Sequence, residues 1–527
     1  MINFPMKFRP ALLIHPFLFA VYPILFLYSH NIDQVLFKET LLPAAIVLFF
    51  TFALLLLLRS ALGNWKKAGI VVSVFWATFF SFGVVESVAG GYGDSRLAIF
   101  ILLLFLMIVL PIATFIWILS RIGKPLIEKG TQVFNIVSVA LVLMPLFLMT
   151  ANMWEVRGNV EGDKPAFSIP VKRKQELPDI YYIILDAYGS SNTLKNLYGY
   201  SNHDFTGFLE SKGFFIAGAS RSNYPWTHQS LASSLNMQYI HALSSTDEES
   251  NYNLYQMILK NKAARFLKSR GYKVIDIGSG SFNVARHNRY ADLSFNKIKF
   301  AEFWIILSKT TPLYPLVLRM SFDDHRNSVL HALGKLEEVS DIKGPKFTFA
   351  HLLIPHNPFV FKSNGDRIPA DESFWASIWS RSEDNILKRK NFYVGQLIFV
   401  NKKIREWADQ TISKSRIPPI IVIQGDHGPL PHYRGIFNYK KIREEDNRKL
   451  HREILRERME ILNAFYFPGG GEGFLYKTIT PVNTFRLIFN YYFGTNYELL
   501  PDESFAYNYA GFGKEKFVNV TNKVNRN

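Results

Sequence analysis

The chain contains no cysteine. Disulfide scaffolds, Cys-ligated zinc or iron–sulfur sites and every cysteine-nucleophile mechanism are therefore excluded. Charge is scarce at the front, where residues 1–152 carry ten basic and five acidic side chains. Acidic residues are the minority throughout, 43 Asp and Glu against 60 Lys and Arg in 527 residues, for a net charge of +17. No repeat of the kind that marks solenoids, about 20–50 residues in period, is visible. What the chain has instead is apolar bulk, 48% of residues with 46 Phe, unevenly spread. The last 375 residues hold 50 Lys and Arg against 38 Asp and Glu. Such a split describes a membrane-embedded front joined to a soluble back, and it excludes a small secreted module.

Five apolar stretches, near 10–29, 41–58, 68–85, 97–120 and 131–151, approach or exceed the roughly 20 helical residues that cross a bilayer. Their prolines do not veto helices in lipid, because neighbouring groups re-satisfy the backbone. The first stretch is too long, and too closely followed by others, for a cleaved signal peptide. Lys7, Arg9, Arg59, Lys66, Lys67, Arg121, Lys124 and Lys129 fall on one side of these spans, against Lys38 and Arg96 on the other. The positive side is expected to be cytoplasmic. Five crossings then place everything after residue 152 outside, and an outward-facing domain disfavours nucleic acid as a partner. His15 and Glu86 lie in or beside spans and are functional candidates by default. The alternatives are a His bonded to a neighbouring helix and an interfacial Glu.

Residues 153–177 read as a polar linker, 178–513 as one α/β domain and 514–527 as a frayed tail. Short β-branched runs at Asp179–Leu185, Tyr272–Ile277, Lys346–Leu353 and Pro419–Gln424 predict buried strands. Helical patterns at Asn253–Lys268 and Asn391–Ile412 fall between them. This alternation predicts a mostly parallel sheet between helices. The charge run Lys440–Arg458 reads as a solvated helix.

Two predicted strands stop at a carboxylate, Asp186 and Asp426, and ligands bind outside the carboxyl ends of such sheets. A strand-end Asp is also a common helix cap. The pair, with His427 inside Gly425-Asp426-His427-Gly428, suits Zn²⁺, Mn²⁺ or Mg²⁺ better than a soft metal. The glycines are expected to let the backbone turn sharply. Thr227 stands where a loop enters a predicted helix; its plain reading is an N-cap. Its reactive reading is a hydroxyl that a cation activates and a helix N-terminus assists against a phosphoryl group.

In order, Asp186, Thr227 about 40 residues on, His356 in Ile354-Pro-His-Asn-Pro358, and Asp426-His427 resemble the sulfatase and alkaline-phosphatase superfamily. With no Cys to become formylglycine and a Thr in the nucleophile's place, the chain is similar to its membrane-anchored branch, the lipoteichoic acid synthases and phosphoethanolamine transferases. The acid of those transferases is commonly Glu, here Asp186, and the disulfides of several of them are absent. The resemblance implies an N-terminal transmembrane region of five helices and an alkaline-phosphatase-like α/β domain. It implies transfer of phosphoglycerol or phosphoethanolamine from a phospholipid donor to a glycan or lipid acceptor through a phospho-threonine enzyme. Asp186, Thr227, Asp426 and His427 would hold one divalent ion, Zn²⁺ or Mn²⁺. His356 would contact the phosphoryl group or protonate the leaving group, unless it is a structural His between prolines. His228 and His432 are further substrate-contact candidates. The setting implied is a bacterial cytoplasmic membrane. The competing readings are a phosphodiesterase or sulfatase-like hydrolase using the same site, and a catalytically dead scaffold for envelope assembly.

Overall fold

The computed structural model describes residues 12–32, 35, 37–88, 96–158, 177–240, 254–280, 288–298, 302–370, 383–429, 448–508 and 516–525. The chain divides into two compact units, Met1–Ala166 with Phe300–Met320, and Phe167–Lys299 with Ser321–Asn527.

The first unit holds helices α1 (His15–Ser29), α2 (Lys38–Leu62), α3 (Trp65–Val88), α4 (Arg96–Leu104), α5 (Leu110–Arg121) and α6 (Lys124–Gly158). Among the described residues, four helical spans are long and apolar enough to cross a membrane, and α1 is a shorter apolar helix of 15 residues. A π-helical turn, Phe105–Val109, joins α4 to α5. Pro111 sits just beyond it, and its ring would collide with the carbonyl four residues back, so the helix widens there instead of breaking. His15 is fully buried, with Nδ1 2.6 Å from Ser73 Oγ on α3, which is the bonded-histidine alternative. The side chain of Glu86 lies outside the described residues.

The second unit is built on a seven-stranded sheet in the order β2-β7-β6-β1-β5-β3-β4. Its strands are β1 (Ile180–Leu185), β2 (Phe215–Ile216), β3 (Lys273–Gly278), β4 (Leu293–Asn296), β5 (Lys346–Leu352), β6 (Ile420–Gln424) and β7 (Asn463–Tyr466), and its helices begin with α7 (Ser191–Tyr198), α8 (His203–Ser211), α9 (Thr227–Asn236), α10 (Leu254–Leu259) and α11 (Lys262–Ser269). β6, β1, β5, β3 and β4 run parallel; at one edge β7 pairs antiparallel with β6, and β2 pairs antiparallel with β7. β1 is buried at every position, as a strand covered on both faces requires. On one face Ile180, Tyr182 and Ile184 join Phe347, Phe349, Val422 and Phe485 in a single core. On the other, Tyr181 meets Trp407 edge-on at 5.4 Å.

Three local expectations differ. The helical pattern at Asn253–Lys268 is two helices, Leu254–Leu259 and Lys262–Ser269, because Asn261 starts the second by accepting from Ala264 N–H. The tail is not frayed over its described length: Lys516–Asn519 pairs antiparallel with Phe505–Asn508, and Val520 and Val524 bury against Leu455 and Met459. The described part of the Lys440–Arg458 run, in helix Arg448–Met459, buries Glu457 and Arg458, so that end is not solvated.

Candidate active site

β1 is central, with β6 on one side and β5 on the other, and their carboxyl ends carry the site. Asp186 follows β1 and extends its ladder, donating N–H to Leu352 O at 3.0 Å. Its own carbonyl accepts the His356 N–H at 3.1 Å, which fastens the His-x-Pro segment to the strand end. Ala187 next turns into the left-handed region at φ 63°, rare for a residue with a Cβ. That turn aims its N–H at Asp426 Oδ1, 3.0 Å away. The same oxygen accepts from His427 N–H at 2.9 Å.

The glycines around Asp426 and His427 serve close approach; neither has a positive φ. A Cβ on Gly425 would lie 2.4 Å from the Tyr188 carbonyl oxygen, and one on Gly428 would lie 1.9 Å from that of Glu457. The backbone packs where a side chain would stand, which corrects the expected sharp turn.

Thr227 opens helix α9 (Thr227–Asn236) but is not its cap; Trp226 holds the N-cap position, without a side-chain capping bond. The hydroxyl instead lies 3.1 Å from His427 Nε2 and 3.5 Å from Asp186 Oδ2. His427 Nε2 is also 3.3 Å from Asp426 Oδ2 and 3.7 Å from Asp186 Oδ1. Asp186, Asp426 and His427 are buried, whereas Thr227, His356 and His228 are half-buried. The acids thus form a floor beneath a half-buried threonine.

These residues fit one divalent cation. Ligand atoms of Asp186, Asp426 and His427 all lie within 4.8 Å of one another. The separations from His427 Nε2 match the edge of about 3.3 Å expected of a tetrahedron with metal–ligand bonds of about 2.0 Å. Asp186 Oδ1 and Asp426 Oδ2 are buried without a hydrogen-bond partner. His427 Nδ1 lies 3.0 Å from the Gly428 carbonyl, which assigns the ring proton to Nδ1 and leaves Nε2 as a lone pair facing the acids.

Electrostatics agree. Burial alone would raise the Asp186 carboxyl, but the facing His356 and the His351 hydrogen bond outweigh it and hold it well below the usual range. Asp426 is pushed up to about 7, first by burial and then by the charge of Asp186. Two buried carboxylates this close resist joint ionisation until a cation compensates them. Burial, then the Arg458 charge, lowers His427 well below its ordinary value, so its imidazole is neutral.

Two residues complete the site without having stood out in the sequence. His351, fully buried in β5, places Nε2 3.2 Å from Asp186 Oδ2. The register of β5 on β1 sets this pairing; the available signal was the His351–His356 spacing at a strand end. Arg458 donates from Nε to the Pro225 carbonyl at 2.5 Å and from Nη1 to the Gly428 carbonyl at 3.0 Å. Its guanidinium lies 5.0 Å from the Trp226 ring centre. One cation thereby clamps the Thr227 loop to the Asp426–Gly428 loop. Burial brings it down to about 10, which leaves it protonated at neutral pH.

The remaining candidates are placed as follows. The His356 ring is 6.3 Å from that of His427, its Nδ1 facing the Asn357 carbonyl. His228 adjoins Thr227 but stacks on Tyr255, ring centres 5.8 Å apart, and burial brings it down to about 4. His432 lies outside the described residues.

A buried acid outside this cluster yields a prediction. Asp276 on β3 is pushed up to about 8 by burial, with Asn288 Nδ2 donating to its Oδ1. The folded chain keeps a proton there that the unfolded chain releases above about pH 4, so stability falls as pH rises from about 4 to about 8. About four units at 1.36 kcal/mol each bound the loss at about 5 kcal/mol. Asp276→Asn is expected to flatten that decline in Tm between pH 5 and 8; parallel profiles for mutant and wild type would contradict it.

No family model and no curated protein matches the chain. Among solved structures, the C-terminal periplasmic domain of EcEptC from Escherichia coli is similar at 13% identity and TM-score 0.43, covering 68% of this chain and 96% of that one. The integral membrane lipooligosaccharide phosphoethanolamine transferase A (EptA) of Neisseria meningitidis is similar at 12% identity and TM-score 0.36, covering 86% of this chain and 87% of that one. The phosphonate monoester hydrolase of Agrobacterium radiobacter is similar at 12% identity and TM-score 0.40, covering 63% and 80%. Phosphoethanolamine transferases, one of the groups that the motif order resembles, thus stand among the structural neighbours. The likeness is one of outline, and the chemistry rests on the site itself.

Proposed function

We propose that the chain is a membrane-anchored, metal-dependent transferase. It moves a phospholipid headgroup, phosphoglycerol or phosphoethanolamine, to an envelope glycan or lipid through a phospho-threonine enzyme. The observation that carries this reading is the placement of Thr227 Oγ1 at the start of α9, 3.1 Å from His427 Nε2 and 3.5 Å from Asp186 Oδ2. A half-buried hydroxyl spared from capping, beside two buried acids and an imidazole, is built to react. The membrane part comprises five spans, α1 and the four longer ones, with the N-terminus cytoplasmic and the catalytic unit outside a bacterial cytoplasmic membrane.

Asp186, Asp426, His427 and Thr227 would hold one ion, Zn²⁺ or Mn²⁺, which when bound supplies Lewis acidity that favours the alkoxide form of the threonine and offsets phosphoryl charge. Thr227 Oγ1 bonds to phosphorus as the bond from phosphorus to the glycerol oxygen of the lipid breaks. The proton of the threonine hydroxyl ends on the departing diacylglycerol oxygen, with the His356 imidazole as its carrier. An acceptor hydroxyl then attacks the phospho-threonine, the Oγ1–P bond breaks and the acceptor's proton returns to Thr227. The free N–H groups of the first turn of α9 favour the anionic phosphoryl group throughout. His228 and His432 are the flanking candidates for headgroup contact.

The test is intact mass of the full-length protein after incubation with vesicles of phosphatidylethanolamine and phosphatidylglycerol. An adduct of one headgroup phosphate with release of diacylglycerol is expected. Steady accumulation of free headgroup phosphate, undiminished by acceptor, would assign a hydrolase. Metal-loaded protein that releases no diacylglycerol would reject the transfer.

His351 acts in this scheme as a positioning residue for Asp186. His351→Ala is expected to weaken metal binding about ten- to a hundredfold, as loss of a ligand's partner does. His351→Gln, which keeps a donor, should recover part of it. Unchanged affinity in His351→Ala, measured by competition with a chelator, would remove that role.

A further inference from the structure

The chain reaches the membrane unit twice, through α1–α6 and again through Phe300–Met320, which is compact with those helices and not with the rest of the sequence around it. The returning segment contains helix α12 (Glu302–Ser308) and the first two turns of α13 (Tyr314–Val339). Phe303 and Leu307 are buried in the same cluster as Ala20, Ile24, Val47 and Val72 of the spans. The turn after α12 meets α3 by backbone: Gly83 N–H donates to the Thr310 carbonyl at 3.1 Å. A Cβ on Gly83 would lie 1.7 Å from the Lys309 carbonyl oxygen, so only glycine admits the turn there. Glu302 is close enough to Glu39, at the start of α2, for their charges to interact. The start of α2 and the end of α3 share one end of the bundle, the outward end in the orientation proposed above.

Beyond that turn the segment shows apolar side chains. Leu313, Leu316 and Met320 are 49%, 57% and 48% exposed. Their spacing of three and seven residues puts them on one face of a helix. Among the described residues after 177, seven large apolar side chains are exposed, and these three fall within eight positions. Further along α13 the one large apolar side chain that is exposed is Leu330, at 37%. The apolar stripe therefore ends where the membrane unit ends. The spans themselves expose Phe49, Leu57 and Phe147, at 69%, 64% and 70%, side chains that lipid covers in the orientation proposed above.

We infer that Glu302–Met320 is a second membrane element, in which α12 is seated on the outward end of the helical spans and Leu313, Leu316 and Met320 enter the acyl chains of the outer leaflet. The inference rests on the membrane orientation proposed above. It gives the catalytic sequence a lipid contact separate from its N-terminal spans.

The absence of cysteine makes the test clean. Leu316→Cys and Met320→Cys are each labelled with a nitroxide in full-length protein, in nanodiscs of phosphatidylethanolamine and phosphatidylglycerol. Power saturation then compares collisions with oxygen, which partitions into lipid, and with a water-soluble nickel chelate. Phe49→Cys serves as the lipid reference and Ser363→Cys, at an exposed loop position, as the aqueous one. Labels at 316 and 320 are expected to favour oxygen, with the sign found at 49 and opposite to that at 363. If 49 reports lipid while 316 and 320 follow 363, the inference is wrong and the membrane reading stands. If both labels are shielded from both reagents, protein such as a second copy covers the stripe, and the inference is equally wrong. If 49 itself reports water, the membrane reading falls and this inference with it.

Discussion

Thr227→Ala is expected to lower turnover by about 10⁴-fold or more, as loss of a covalent nucleophile does, with the fold and most of the metal site retained. The expectation of an intact fold comes from the helix start. Trp226 is the N-cap and Thr227 makes no capping bond, so truncation removes no helix-stabilising contact. Alanine is also the better helix former, by a few tenths of a kcal/mol. Asp186, Asp426 and His427 keep their ligand atoms within 4.8 Å of one another, so an ion loses one ligand of four. The adduct seen by intact mass on wild type should be missing from the variant. Thr227→Ser, which restores a hydroxyl at the same Cβ, should recover measurable turnover and the adduct. Full turnover in Thr227→Ala would reject the nucleophile, whatever the metal content.

The second large effect is expected at the floor. Asp426→Asn and His427→Ala should each abolish stoichiometric metal in elemental analysis of the purified protein, and activity with it. Asp426 shows why removing one charge suffices: its Oδ1 is engaged by two backbone N–H groups and only Oδ2 is free for an ion. An amide there keeps the shape and removes the charge. The stability signature runs in opposite directions in the two metal states. A bound ion stabilises wild type by about 4 kcal/mol when present at a thousandfold over its Kd, and the variant should lack this increment. Under chelation the order is expected to reverse, because Asp426 in wild type is opposed by burial and by the Asp186 charge. That charge conflict is absent from the amide. Wild-type Tm should therefore fall on addition of chelator and the Asp426→Asn Tm should not. An Asp426→Asn protein that holds a full equivalent of metal would place the ion elsewhere.

The acids of the site were legible because a parallel sheet presents the ends of its strands along one edge. A carboxylate directly after Tyr-Tyr-Ile-Ile-Leu or two residues after Ile-Ile-Val-Ile-Gln has little choice of position. Thr227 was legible only as two alternatives, since a hydroxyl at a loop-to-helix junction looks the same whether it caps or reacts. The structure separates them by the bond it does not make to its own helix. His351 was not legible, because alternation in a buried strand says which face a residue takes but not which neighbour it meets. That depends on the pairing of His351 with Ile184 across β5 and β1. Arg458 was misread for a related reason: a charge run is solvated on average, and only packing shows which member turns inward.

By itself the sequence determined the apolar spans, the strand–helix alternation and the identity of the chemical groups, since these follow from hydrophobic periodicity and from side-chain chemistry, both local properties. Tertiary structure alone decided which groups meet. Asp186, Thr227, His351 and Asp426-His427 come from four separate stretches, and their convergence depends on strand order and register. The same holds for Glu302–Met320. Its residues resemble any other moderately apolar stretch in sequence, and only the burial of Phe303 and Leu307 among the spans, with the stripe left bare beyond them, sets it apart. Contacts between distant residues are set by how faces pack, and packing is a property of the whole fold.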